Sequence, residues 1–197
     1  MSAAVPKDQI YERYLQKAIT EINELGDEIA HAGVAQDRVP VLGSGHPLAD
    51  IFLLKYGPQH SELQEGVAFF GRAGQAVLKS LQRLRVDPMA VYGTNCLKFA
   101  DSTEEESAPW VRRELHIVQP KLLVVMGDDA LSFVNGLDFP LADPLEPRLG
   151  ELQRFTATIE GLVCPDLDAS LDEQAAKTAF WNAFKVVGTW WGELPPY

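Results

Sequence analysis

Cysteine is nearly absent from this chain: Cys96 and Cys164 are the only two in 197 residues. Two thiols cannot build a disulfide framework, and with nothing to suggest secretion both are read as reduced. Long apolar runs are missing as well. The best of them, Leu122 to Met126, has the length of a strand and not of a membrane span. The opening residues, Met1 to Tyr14, lack the basic-then-apolar order of a secretory leader. Positive charge is scarce: 17 Lys and Arg stand against 28 Asp and Glu, a net charge of −11. Proteins that grip nucleic acid need a basic face to neutralise phosphates, so tight DNA binding is disfavoured. These absences lead to the expectation of a soluble, cytoplasmic protein with no membrane partner.

What is present is ordinary globular material, 46% apolar and 23% charged residues, enough for one domain with a substantial core. One domain is expected over 1–197, with an N-terminal helix and loop over 1–40 and an α/β core over 41–197. Ile10, Tyr14, Ala18, Ile22 and Leu25 recur at helical spacing and predict a helix over 7–31, with Pro6 near its first turn. Residues 33–47 read as a loop. Asp50 to Lys55 reads as a strand buried on both faces, followed by a long loop, 56–72. Further helices are predicted over 73–85 and 107–118, and strands over 90–95 and 121–126. Gly127 opens a short helix through Ala130 and Phe133. Residues 138–147 read as irregular, and a strand pair lies within 152–163. Ser170 and Glu173 form a capping box for a closing helix through Ala176, Phe180, Phe184 and Val187.

Strands alternating with helices predict a three-layer α/β/α sandwich around a central, mostly parallel four-stranded sheet. Ligands of such sheets sit at the carboxyl ends of the strands. That places any site in three loops: 55–71, 95–107 and 164–171.

Those loops carry ordered motifs. After Gly43-Ser-Gly45 and the strand come Lys55-Tyr-Gly-Pro-Gln59, then Glu62, then Gly66-Val-Ala-Phe-Phe-Gly-Arg-Ala-Gly74. Val91-Tyr-Gly-Thr-Asn-Cys-Leu-Lys98 and Gln119-Pro-Lys-Leu-Leu-Val-Val-Met-Gly127 follow. This series resembles the uracil-DNA glycosylase superfamily, most closely its iron–sulfur, family 4-like branch. There the corresponding text is GEAPG, GRPFVGRAG, VYITNVVK and a strand ending in LG. The resemblance implies a base-binding pocket from Tyr56, Gly57, Pro58, Phe69, Asn95 and Cys164. In it Phe69 would stack on an extruded base, and the Asn95 amide would read uracil's paired donor and acceptor. Phe69 and Phe70 equally suit a core beneath a long loop, and Asn95 equally suits a turn at a strand end.

The departures fall on the chemistry. Tyr56 stands where GEAPG has its glutamate, and Cys164 stands where a late HPS block has its histidine. Phe99 occupies the place of one cluster cysteine, and the N-terminal pair has no counterpart near Glu28 to His31. No cofactor is therefore expected, the iron–sulfur cluster included. The catalytic residue is unidentified; His60 and Glu62 are the candidates for a replacement, and a solvated histidine and a non-chemical carboxylate are the alternatives. The DNA-facing loops carry Glu104 to Glu106, Asp166, Asp168, Asp172 and Glu173, which would repel phosphates. The expected ligand is a nucleobase or single-stranded DNA held weakly, and the expected protein partner is basic. The leading expectation is a divergent member without ordinary uracil excision, acting as a nucleobase-binding or interaction module. The alternative is an active glycosylase with atypical catalytic residues.

Overall fold

A computed structural model describes residues 7–195. Helix α1, Lys7–Val34, comes first; Pro6 lies outside the described residues. Only its later turns are packed: Ala18, Leu25 and Ile29 are buried, whereas Ile10 and Tyr14 are exposed. The predicted stripe thus runs past the surface that covers it.

The remaining helices and strands follow in the order β1 (Ser44–Gly45), β2 (Ile51–Lys55), α2 (His60–Glu65), α3 (Arg72–Leu84), β3 (Val91–Asn95), α4 (Glu104–Val118), β4 (Leu122–Met126), α5 (Asp128–Gly136), β5 (Leu152–Arg154), β6 (Glu160–Cys164), α6 (Gln174–Phe184) and α7 (Val186–Glu193). Among the described residues they form one six-stranded sheet, ordered β1-β3-β2-β4-β6-β5. Its four inner strands are mutually parallel, as expected, and the short edge strands β1 and β5 are antiparallel additions.

Strands β2 and β4 read as near-continuous apolar runs because both faces are covered. Phe52, Leu54, Leu123 and Val125 share one core with Val111 and Leu115 of α4 and Val134 of α5. Ile51, Leu53, Val124 and Met126 share the other with Val77 of α3, Phe184 of α6 and Val187 of α7. Gly188 permits that approach, since a Cβ there would lie 2.8 Å from the Leu84 side chain. The closing aromatics pack on this layer: Trp190 is buried, and its Nε1 donates to Glu160 Oε2 at 2.6 Å.

Five readings need correction. The expected loop 33–47 contains β1, and the expected loop 56–72 contains α2. Helix α4 begins at Glu104, because the Thr103 side chain caps it by accepting the Glu106 N–H at 3.1 Å. Its acidic first turn then meets the positive end of the helix dipole. The Ser170–Glu173 capping box does not form. Ser170 sits in the short 3₁₀ turn Ala169–Leu171 and donates to Asp166 O instead, and the closing helix divides at Lys185 into α6 and α7.

A buried ionic network fixes the end of β3. Lys98, fully buried, donates to Glu114 Oε2 at 2.6 Å, Thr94 Oγ1 at 2.6 Å and the Asn95 carbonyl at 3.0 Å. The other Glu114 oxygen accepts Tyr92 and Thr94 hydroxyls. Glu114→Leu strands the Lys98 ammonium in the core and should cost about 3–5 kcal/mol. Lys17→Ala, which breaks an exposed pair with Glu21, should cost less than about 1 kcal/mol. Urea denaturation of the two variants measures both; equal costs would mean that burial of the Lys98 pair is immaterial.

Candidate functional site

The inner strands end side by side in one buried row. Lys55 lies opposite Asn95 on one flank and Met126 on the other, and Met126 lies opposite Cys164. Strand alternation turns Lys55 toward the α3, α6 and α7 layer, away from the face that Phe52 and Leu54 cover. The ammonium at the end of that chain is 2% exposed and would be prohibitively costly if unpaired. It donates to Glu62 Oε2 at 2.6 Å, the Gly57 carbonyl at 2.8 Å and Asp168 Oδ2 at 3.0 Å. One lysine thereby joins the strand end, the loop after it, α2 and the late loop.

Glu62 is fully buried in α2 and is the second anchor. Besides Lys55 it accepts the backbone N–H groups of Gln59, at 2.7 Å, and Phe69. Phe69 needs that support, because it has φ of 61°, a left-handed conformation uncommon for a non-glycine residue. Two glycines make room for it. A Cβ on Gly74 would lie 1.8 Å from the Phe69 carbonyl, and one on Gly93 would lie 2.7 Å from its ring. The ring is 5.8 Å from the Lys55 ammonium, within reach of a cation–π attraction.

Among the residues assigned from sequence, Asn95, Phe69, Gly57 and Cys164 gather on this face. Pro58 is half-buried in the turn between Gly57 and α2. Tyr56 points elsewhere. It packs against the opposite core, and its hydroxyl donates to Glu104 Oε1 at 2.8 Å. That hydrogen bond, with burial, pushes the phenol up to about 12, so it stays protonated. His60 is exposed at the start of α2.

Two polar groups in this region lack partners. Asn95 is fully buried, and neither its Oδ1 nor its Nδ2 makes a hydrogen bond; Asp168 Oδ1 is likewise buried and unpaired. Among the described residues these are the buried side-chain N and O atoms left without partners. Folded proteins seldom tolerate such groups, and each costs roughly 1–3 kcal/mol. Asp168 also borders a cleft of about 340 Å³, lined by Gln59, His60, Ser61, Phe70 and Arg72 among others. A larger apolar cleft of about 440 Å³ is lined by Phe69 and shares Phe70 with it, but has none of Lys55, Asn95 or Asp168 in its lining.

The rim around these groups is acidic. Asp101, Glu104, Glu105, Asp128, Asp129, Asp166, Asp172 and Glu173 are all exposed on loops or helix starts that follow the inner strands. Two arginines meet this rim, Arg72 engaged with Asp172 and Arg38 with Asp101 and Glu106.

Neither thiol is a nucleophile at neutral pH. Burial pushes Cys164 up to about 12 and Cys96 higher still. They belong to opposite faces of the sheet, so they do not converge on a shared metal. The residues at the corner where the resemblance places an iron–sulfur cluster do not fit one. Phe99 is fully buried there, 6.1 Å from the Trp110 ring, with the Arg38 guanidinium 4.0 Å from its centroid. Carbon faces and a guanidinium offer no ligand to iron.

Sequence reasoning missed Lys55 and Asp168. A signal for the first was available: a lysine ending an otherwise apolar strand must find a buried counterion. Nothing in the sequence singles out Asp168 among its acidic neighbours.

Comparison with known proteins agrees with this geometry. The model for the uracil DNA glycosylase superfamily matches residues 42–185. A type-4 uracil-DNA glycosylase from Archaeoglobus fulgidus is 23% identical over 167 residues, covering 79% of this chain and 84% of that protein.

The environment of Asp168 has a consequence for stability. Burial raises its carboxyl above the ordinary value, with Lys55 opposing. The folded state therefore keeps this proton to a higher pH than the unfolded chain does. Its contribution to stability declines as pH rises through that window. Asp168→Asn removes the decline, so wild-type stability relative to the variant should fall from about pH 4 toward neutral. Paired urea denaturations across that range test this; a wild-type advantage that grows with pH would contradict it.

Proposed function

The chain belongs to the uracil DNA glycosylase superfamily, and from that premise we propose that it is a member without ordinary uracil excision. It instead holds a nucleobase- or nucleoside-sized ligand at the carboxyl ends of its parallel strands. The observation that carries the reading is Tyr56. Cleavage of an N-glycosidic bond builds positive charge on the sugar, and a carboxylate or amide beside it places water and balances that charge. At this position the chain has a protonated phenol, packed against the far core and committed to Glu104. The departing base also needs a donor, and Cys164 offers a neutral, buried thiol. Loss of one such stabiliser costs on the order of a hundredfold in rate.

The ligand-binding part of the reading is supported by the cleft over Asp168. Phe70 is exposed along it and presents a ring for stacking, Gln59 supplies an amide, and the Asp168 carboxylate borders it. The ligand that suits it is flat and carries N–H groups. The acidic rim makes duplex DNA a poor partner and favours a basic protein segment.

One observation favours a second reading, in which the protein is an active glycosylase with replacement groups. His60 and Asp168 line the same cleft, so a histidine and a carboxylate flank a space where water and sugar could meet.

A single-turnover assay with excess protein on a labelled single-stranded oligonucleotide bearing one uracil separates the two. The expected result is no cleavage above the protein-free control, together with a concentration-dependent rise in Tm on adding nucleosides that Phe70→Ala diminishes. Cleavage abolished by Asp168→Asn or His60→Ala would establish the second reading in its place.

A further inference from the structure

The groups assigned to base recognition surround a side chain that has no part in that assignment. Lys55 is flanked in register by Asn95, and Cys164 stands two strands away in the same row. Its ammonium reaches the Gly57 carbonyl and stands 5.8 Å from the Phe69 ring. A base stacked on Phe69 and read by Asn95 would have to occupy the volume that the Lys55 chain fills. The motif this strand end resembles, GEAPG, has glycine at the place where this chain has Lys55.

The burial pattern agrees. Asn95 is fully enclosed although its amide binds nothing. A strand-end amide that is sealed and unpaired has lost the space its partner would use, and the adjacent bulky group is Lys55. The chain is also held down. Glu62, Asp168 and the Gly57 carbonyl each accept from its ammonium, and these are the three charge-assisted bonds that an ammonium can make. Swinging it out would leave Glu62 buried without a counterion, which makes an open state costly.

We propose that Lys55 is a built-in occupant of the base position, the residue that closes the Asn95 pocket to pyrimidines. This rests on the reading that the protein does not excise uracil, and it supplies a steric reason for that reading. Ligands are then confined to the outer cleft over Asp168, and Asn95 becomes accessible only when the lysine is removed.

The test is the variant Lys55→Gly combined with Glu62→Gln, so that the fully buried Glu62 carboxylate is not left without its counterion. Free uracil is the probe, and binding is followed by saturation-transfer NMR. Any transfer seen with wild type should come from the outer cleft and be unchanged by Asn95→Ala. The double variant should bind uracil about tenfold or more tightly than wild type, and adding Asn95→Ala should abolish the gain. A second substitution, Lys55→Met, keeps the bulk and removes the charge; it should remain closed to uracil. A folded double variant that ignores uracil, or a gain indifferent to Asn95→Ala, would overturn the proposal.

Should the double variant fail to fold, the side-chain amide resonances of Asn95 in wild type decide the matter. They should not move on adding uracil, and a shift would overturn the proposal. The two readings fail separately. Uracil cleavage by wild type would refute the proposed function, whereas a silent double variant would refute only the role of Lys55.

Discussion

A cation at the end of a strand buried on both faces must be neutralised where it stands, and the upper half of this structure is arranged around that requirement. Lys55 draws in Glu62 from α2 and Asp168 from the loop after β6. Glu62 in turn accepts the backbone of Gln59 and Phe69, so α2 and the strained Phe69 are positioned by the same carboxylate. Buried ion pairs seldom add much net stability, because desolvation offsets their attraction. Here the network serves geometry, because a chain that failed to bring these loops together would leave a bare charge in the core.

A second lysine does similar work on the other side of the sheet. Lys98 and Glu114 close a fully satisfied network that includes the Asn95 carbonyl. Asn95 is thus gripped through its backbone from one face while its side chain stands beside Lys55 on the other. That combination keeps the amide in place even though it binds nothing, as a preorganised site requires. The same economy is visible at the corner near α1, where Phe99, Trp110 and Arg38 pack together.

Electrostatics set what can approach. Loops after three of the inner strands carry exposed carboxylates, several of them in the first turns of α4 and α5, where the helix dipole favours negative charge. The acidic face therefore agrees with local helix chemistry. On the proposed reading, the outer cleft with its stacking ring takes a small N–H-bearing ligand.

Much of this was legible in the residues themselves. Apolar runs bounded by glycine and proline mark the inner strands, because burial on both faces removes any polar alternation, and the motif series marks the superfamily. That position 56 is a tyrosine and not a carboxylate is likewise plain from residue type. Short features were not legible. Helix α2 lies within a stretch rich in glycine and charge, and β1 and β5 are too brief to show a period. Serine and glutamate at capping distance suggested a box where Ser170 instead bonds within its own turn. What only the tertiary structure decided is which charges meet. Lys55 and Asp168 are far apart along the chain, and no local pattern tells one acidic loop residue from the next. Their pairing follows from the order in which parallel strands place their ends side by side, a relation set by sheet topology and by the cost of leaving a buried ammonium alone.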